Sequence, residues 1–110
     1  IVLSSEKNPM VSISFAEILN NSDVPAGVVN ILTGRRKELI HSFASHMDVN
    51  SIAYYGNDFK EIQLIKELSV KNLKRIYICE DDSLNNKSFQ TPYLIEKFQE
   101  IKTVWHPNDV

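Results

Sequence analysis

Short apolar runs rich in β-branched residues alternate along this chain with longer stretches of helical spacing. That alternation constrains the fold more than any other feature. Its sharpest instance is Pro25-Ala26-Gly27-Val28-Val29-Asn30-Ile31-Leu32-Thr33-Gly34. Pro-Ala-Gly signals a tight turn, the Val/Ile/Leu run predicts a short strand buried on both faces, and Gly34 releases the chain into the next element. A strand of this kind belongs in a parallel sheet covered by helices.

Further strands are predicted over 1–3, 52–56, 76–79 and 102–105. A helix is predicted from Pro9, where an early proline is tolerated because the first N–H groups lack intrahelical partners. It would bury Met10, Val11, Ile13, Phe15, Ile18 and Leu19. A second, over 35–46, turns Leu39, Ile40 and Phe43 inward. A third, capped by Asn57-Asp58, buries Phe59, Ile62, Leu64, Ile65 and Leu68. Residues 80–90 read as a loop, and a fourth helix runs over 93–99. Strands spaced for β-α-β crossovers predict a three-layer α/β fold, with helices on both faces of a mostly parallel sheet.

The chain's 110 residues make one domain, and its opening directly on a strand predicts that it is a fragment of a longer chain. A net charge of −2 gives no electrostatic case for nucleic acid or an anionic membrane. The single cysteine, Cys79, excludes an internal disulfide and a multi-cysteine zinc site, and suits a reducing compartment such as the cytoplasm. No apolar run approaches membrane-spanning length.

In open α/β sheets, ligands sit off the carboxyl ends of the strands, which singles out the loops at 4–9, 34–37, 56–59 and 79–83. Gly34-Arg35-Arg36-Lys37 sets three cations at a helix start; a bound phosphate would reconcile them with the helix dipole, and a solvated basic turn is the plainer reading. Gly56-Asn57-Asp58-Phe59-Lys60-Glu61 has one glycine, and its Asp58 and Glu61 would repel a pyrophosphate. It makes a poor nucleotide loop and a good helix cap. Cys79-Glu80-Asp81-Asp82 could hold Mg²⁺ as in receiver-type phosphoacceptor domains, but the other strand ends carry Ser4, Gly34 and Gly56, so an acidic solvated loop is the simpler expectation. Cys79 as a nucleophile would need a base beside it, and His41, His46 and His106 cannot be placed there from sequence. Phe15, Tyr54, Tyr55, Phe59 and Trp105 are expected to pack in the core, since no basic stripe runs among them.

The stretch 25–34 closely resembles the aldehyde dehydrogenase segment P-P-G-V-V-N-(I/V)-(V/L)-T-G. Ile1-Val2-Leu3-Ser4-Ser5-Glu6-Lys7-Asn8-Pro9 resembles that family's V-V-x-K-P-S-E-x-T-P. Ser45-His46-Met47-Asp48-Val49 resembles S-H-P-D-V, and 51–56 resembles x-I-A-F-T-G. Asn72-Leu73-Lys74-Arg75 precedes the strand that in the family ends E-L-G-G-K. The resemblance implies a Rossmann-like cofactor domain of an NAD(P)-dependent oxidoreductase.

Carried over position by position, it implies a degenerate cofactor site. Ser4 matches the family's ribose-holding Lys, in a loop one residue shorter, and Glu6 matches its Glu. Gly34 matches a family turn. Gly56 is retained, but the Ser that follows it and contacts the pyrophosphate is Asn57 here, and the turn's second glycine falls on Glu61. The general base aligns with Cys79 and the two glycines after it with Asp81 and Asp82; the nucleophilic cysteine has no counterpart. The expectation is a chain without catalytic or metal-binding residues. In it Ser4, Glu6, Gly34, Gly56 and Asn57 are the remnant of a cofactor site, and no cofactor is expected for the domain alone. The pattern, with its terminal Lys102-Thr103-Val104-Trp105-His106-Pro107, is similar to the shortened second dehydrogenase-like region of aldehyde dehydrogenase family 16. The implied partners are the active dehydrogenase region of a parent chain and further copies in a homo-oligomer. Two alternatives stay open: weak residual NAD binding, and a Mg²⁺-binding receiver-like module.

Overall fold

A parallel strand pair needs a crossover between its members, and this chain builds two such units. The computed structural model describes residues 1–79 and 91–107. In the first unit β1 (Val2–Leu3), α1 (Pro9–Asn20) and β2 (Ile31–Leu32) follow one another, and β1 pairs with β2 in parallel, Val2 opposite Ile31. Next comes α2 (Arg36–Ser45). The second unit is β3 (Ser51–Tyr55), α3 (Phe59–Ser69) and β4 (Arg75–Cys79), with β3 parallel to β4 and Tyr55 opposite Cys79. A 3₁₀ segment, Val70–Asn72, links α3 to β4, and another spans Pro92–Phe98.

The local signals act as their chemistry predicts. Val28 N–H donates to the Pro25 carbonyl across a turn whose third residue is Gly27 at φ 84°, a type II geometry that favours glycine. Asp58 caps α3, its Oδ1 accepting the N–H groups of Lys60 at 2.9 Å and Glu61 at 3.3 Å.

The core lies where α2 and α3 meet and cover the β3–β4 pair. Ile40, Ala44, Tyr54, Ile62 and Ile65 form it, flanked by Ile52, Leu64, Leu68, Ile76 and Ile78. At the amino ends of β3 and β4 a buried lysine secures the α2–β3 loop. Lys74 Nζ donates to the carbonyls of His46 and of Val49 (2.7 Å), and Asn72 Nδ2 reaches the Met47 carbonyl at 3.1 Å. A buried ammonium is tolerated here because backbone acceptors surround it.

Several expectations are corrected. Among the described residues the two strand pairs are separate two-stranded sheets where one mostly parallel sheet is expected, with no ladder joining β1 or β2 to β3 or β4. The strand in the stretch 25–34 is only Ile31–Leu32, and Val28, Val29 and Leu32 are exposed. Helix α1 has no buried residue; Met10, Val11, Ile13, Phe15 and Ile18 all face outward, since a two-residue β1–β2 ladder offers little surface to cover them. Where an α-helix over 93–99 is expected, Pro92–Phe98 forms a 3₁₀ helix, and the strand expected at 102–105 is not formed. A strand needs a ladder partner, and Val104 and Trp105 find none among the described residues; Trp105 is 82% exposed. Phe59, the first residue of α3, is likewise outside the core, at 75% exposed.

The molecule is correspondingly long. Its radius of gyration is 17.0 Å, against about 13 Å for a compact domain of this length.

Candidate functional site

Every loop that leaves the carboxyl end of β1, β2 or β3 contributes a polar group to one region of the surface. At β1, Ser4 N–H extends the ladder by donating to the Leu32 carbonyl at 2.9 Å, which carries the Ser4 side chain inward. Its Oγ is buried and finds no hydrogen-bond partner among the described residues. Residues 4–6, Pro9 and 33–35 surround a cavity of about 290 Å³. Gly34 forms its edge, where a Cβ would lie 2.9 Å from Leu39 Cδ1 and would require that side chain to shift. Ser4, Glu6 and Gly34 are therefore brought together.

Helix α2 starts without a cap of its own. Arg35, at the cap position, makes no side-chain hydrogen bond to the helix. The missing acceptor comes from thirty residues earlier: Arg36 N–H donates to Glu6 Oε1 at 2.6 Å. A carboxylate on a helix N-terminus is favoured both by the open N–H groups and by the helix dipole.

The Arg36 side chain then turns across the end of β3. Its Nε lies 2.7 Å from Glu61 Oε2, an ion pair in which the Nε–H is not aligned for a hydrogen bond. Its guanidinium sits over the Tyr54 ring, 5.3 Å from the centroid. Tyr54 donates its hydroxyl proton to the same Glu61 oxygen at 2.6 Å. Glu61 is thus a buried carboxylate with two partners, which is what burial of a charge requires. Burial, and next the hydrogen bond to Glu61, push the Tyr54 hydroxyl up to about 12; the nearby guanidinium opposes them.

Gly56 follows directly, at φ 153°. A Cβ there would come within 3.2 Å of the Tyr54 hydroxyl, so glycine suits this position on both backbone and steric grounds. Asn57 is exposed between Gly56 and the capping Asp58. Gly56 and Asn57 border the Tyr54–Glu61 cluster, while Ser4 and Gly34 border the cavity, and Glu6 bridges the two through Arg36.

Cys79 is buried at the carboxyl end of β4, where its carbonyl accepts the Gly56 N–H at 3.1 Å. His46 lies at the other end of the strands, beside Lys74 and Asn72. His41 and His106 are exposed. Among the described residues no group of three or more His, Cys, Asp or Glu could hold a metal ion. Glu80, Asp81 and Asp82 lie outside the described residues.

Sequence reading flagged Glu61 only as a poor neighbour for pyrophosphate. Its pairing with Arg36 and Tyr54 went unread, although one signal was available. Glu61 stands four residues before Ile65, so both face the core side of α3, and a carboxylate on that side needs partners.

A family model described as the aldehyde dehydrogenase family matches residues 1–79. An NADP/NAD-dependent aldehyde dehydrogenase, PuuC, of Escherichia coli (strain K12) is 32% identical over 78 residues, covering 71% of this chain and 16% of that protein. Aldehyde dehydrogenase 1A1 of Mus musculus is 35% identical over 77 residues, covering 69% of this chain and 15% of that protein. An aldehyde dehydrogenase of Aspergillus niger is 24% identical over 76 residues, covering 69% and 15%. The chain thus spans 15–16% of the length of these relatives. No solved structure matches it. The family match stops at Cys79, so residues 80–110 lie beyond it.

Proposed function

This chain belongs to the aldehyde dehydrogenase family, and from that premise we propose that it is a degenerate cofactor-domain segment with a structural or assembly role in an oxidoreductase. In this reading its two β-α-β units are parts of one three-layer Rossmann-like arrangement. Their missing neighbours come from an active dehydrogenase region or from further copies of the chain. The reading takes the shortened second region of family 16 as its parallel, and a cytoplasmic setting fits the single thiol.

The observation that carries this reading is the apolar surface of α1. Met10, Val11, Phe15 and Ile18 project from one helix and all are more than half exposed, Phe15 at 51%. A contiguous apolar surface of this kind marks an interaction site. The segment is inactive by itself in this account. Aldehyde oxidation needs a reactive thiolate and a general base, and the one cysteine of the chain is buried at the position that aligns with the base.

Sedimentation velocity tests the role. The chain is expected to associate reversibly into a species of fixed stoichiometry at micromolar concentration, and Phe15→Lys should weaken that association by about tenfold or more. A chain that stays monomeric at hundreds of micromolar, or a variant that associates as well as the wild type, contradicts assembly through further copies of the chain and leaves the active dehydrogenase region as the partner of the reading.

A second reading, residual NAD(P) binding, is favoured by one observation: the cavity beside Ser4 holds a buried hydroxyl without a partner. NAD(P) would supply a hydride acceptor, held by Ser4, Glu6, Gly34, Gly56 and Asn57. Only the Ser4 end suits it. Toward β3 the donors that a diphosphate would use are already engaged by Glu6, Asp58 and Glu61.

A further inference from the structure

We propose that Glu61 is a built-in counter-anion: its carboxylate holds the Arg36 guanidinium and the Tyr54 hydroxyl against a diphosphate, and removing its charge exposes a latent diphosphate subsite. The proposal deepens the structural reading above by naming the residue that closes the anion end of the site.

Three sets of donors converge off the carboxyl ends of the strands, and each already has a carboxylate from this chain. The first N–H of α2 donates to Glu6 at 2.6 Å. The N-terminal N–H groups of α3 donate to Asp58 at 2.9 and 3.3 Å. The Arg36 guanidinium is 2.7 Å from Glu61, which also accepts the Tyr54 hydroxyl at 2.6 Å. The first two are helix caps of a common kind. The third differs, because Glu61 is buried, with its side chain only 9% exposed, while Arg36 is 42% exposed and reachable from solvent. An arginine at this mouth is suited to bind phosphate oxygens in pairs. A diphosphate could meet the outward Nη groups of Arg36, but drawing the guanidinium fully onto itself would break the Glu61 contact and leave a buried carboxylate short of a partner beside its own negative charge. Repulsion and desolvation therefore act together to exclude it.

Glu61→Gln removes the charge and keeps the shape and an acceptor for Tyr54. In the 110-residue chain, inorganic pyrophosphate is the probe, followed by calorimetry and by the NMR signal of Arg36 Nε. The wild type is expected to show no saturable Arg36 response at millimolar pyrophosphate. Glu61→Gln is expected to bind at least tenfold more tightly, and Glu61→Gln with Arg36→Met is expected to lose the gain. A saturable Arg36 response in the wild type overturns the proposal, and this arm does not depend on any variant folding. A folded Glu61→Gln protein that gains no affinity also overturns it, while leaving the structural reading intact. That reading fails separately, if the wild type binds NAD.

Discussion

Ile65→Ala lowers the unfolding free energy by about 2–5 kcal/mol, the usual cost of emptying an isoleucine-sized space in a packed core. Ile65 is 1% exposed and sits among Ile40, Ala44, Tyr54 and Ile62, at the junction of α2, α3 and β3. Few other side chains of this length are so completely enclosed here, and the described residues outside that junction bury little. The loss would thus consume a large share of a stability expected at about 5–15 kcal/mol for any domain. Urea unfolding measures it as a fall in midpoint with an unchanged slope. Phe59→Ala supplies the contrast. Its ring is 75% exposed, so its removal should change stability by no more than about 0.5 kcal/mol. Equal losses at the two positions would contradict the placement of the core.

The second large effect is alkaline. Tyr54 titrates at about 12 in the folded chain, against an ordinary 10.0. Between those values the unfolded chain has released the phenolic proton and the folded chain still holds it. More protons are then bound in the folded state, so stability falls as pH rises. The contribution is fully present below pH 10, declines from there and is gone above about pH 12, a loss of roughly 2–3 kcal/mol at about 1.4 kcal/mol per pH unit. The physical source is burial of the ring, supported by the hydrogen bond to Glu61. Tyr54→Phe isolates it: the variant is less stable at neutral pH, having left Glu61 one partner short, but its unfolding free energy should fall less steeply from pH 10 to 12 than that of the wild type. Parallel slopes for the two proteins would contradict the burial of the Tyr54 hydroxyl that raises it.

What could be read in the sequence was what neighbours along the chain decide. Pro25-Ala26-Gly27 specifies its turn through the backbone freedom of one glycine. Asp58 caps α3 because its side chain reaches the N–H groups two and three residues on. Ile40, Ile62 and Ile65 show their inward direction through helical spacing. The family itself was legible over residues 1–79, in motifs such as Pro25 to Gly34. Periodicity says which face of α1 is apolar but not whether anything covers it, so Met10, Val11 and Phe15 were expected to be buried and are exposed. Val28 and Val29 failed for the same reason. The polar site was harder still. Glu6 reaches Arg36 across thirty residues, and Glu61, Arg36 and Tyr54 meet only after α2 and α3 have packed. Such pairings leave little mark on a sequence beyond an acidic residue on an otherwise apolar face.

The central claim is that this aldehyde dehydrogenase segment keeps the family scaffold and has closed its cofactor site. It is tested most directly by the thermal midpoint of the 110-residue chain with and without millimolar NAD. A ligand at about 100 times its Kd adds about 2.7 kcal/mol to stability, and each kcal/mol moves the midpoint of a chain this size by roughly 4–8 °C. The account predicts an unchanged midpoint. A clear, saturable rise with NAD would contradict it.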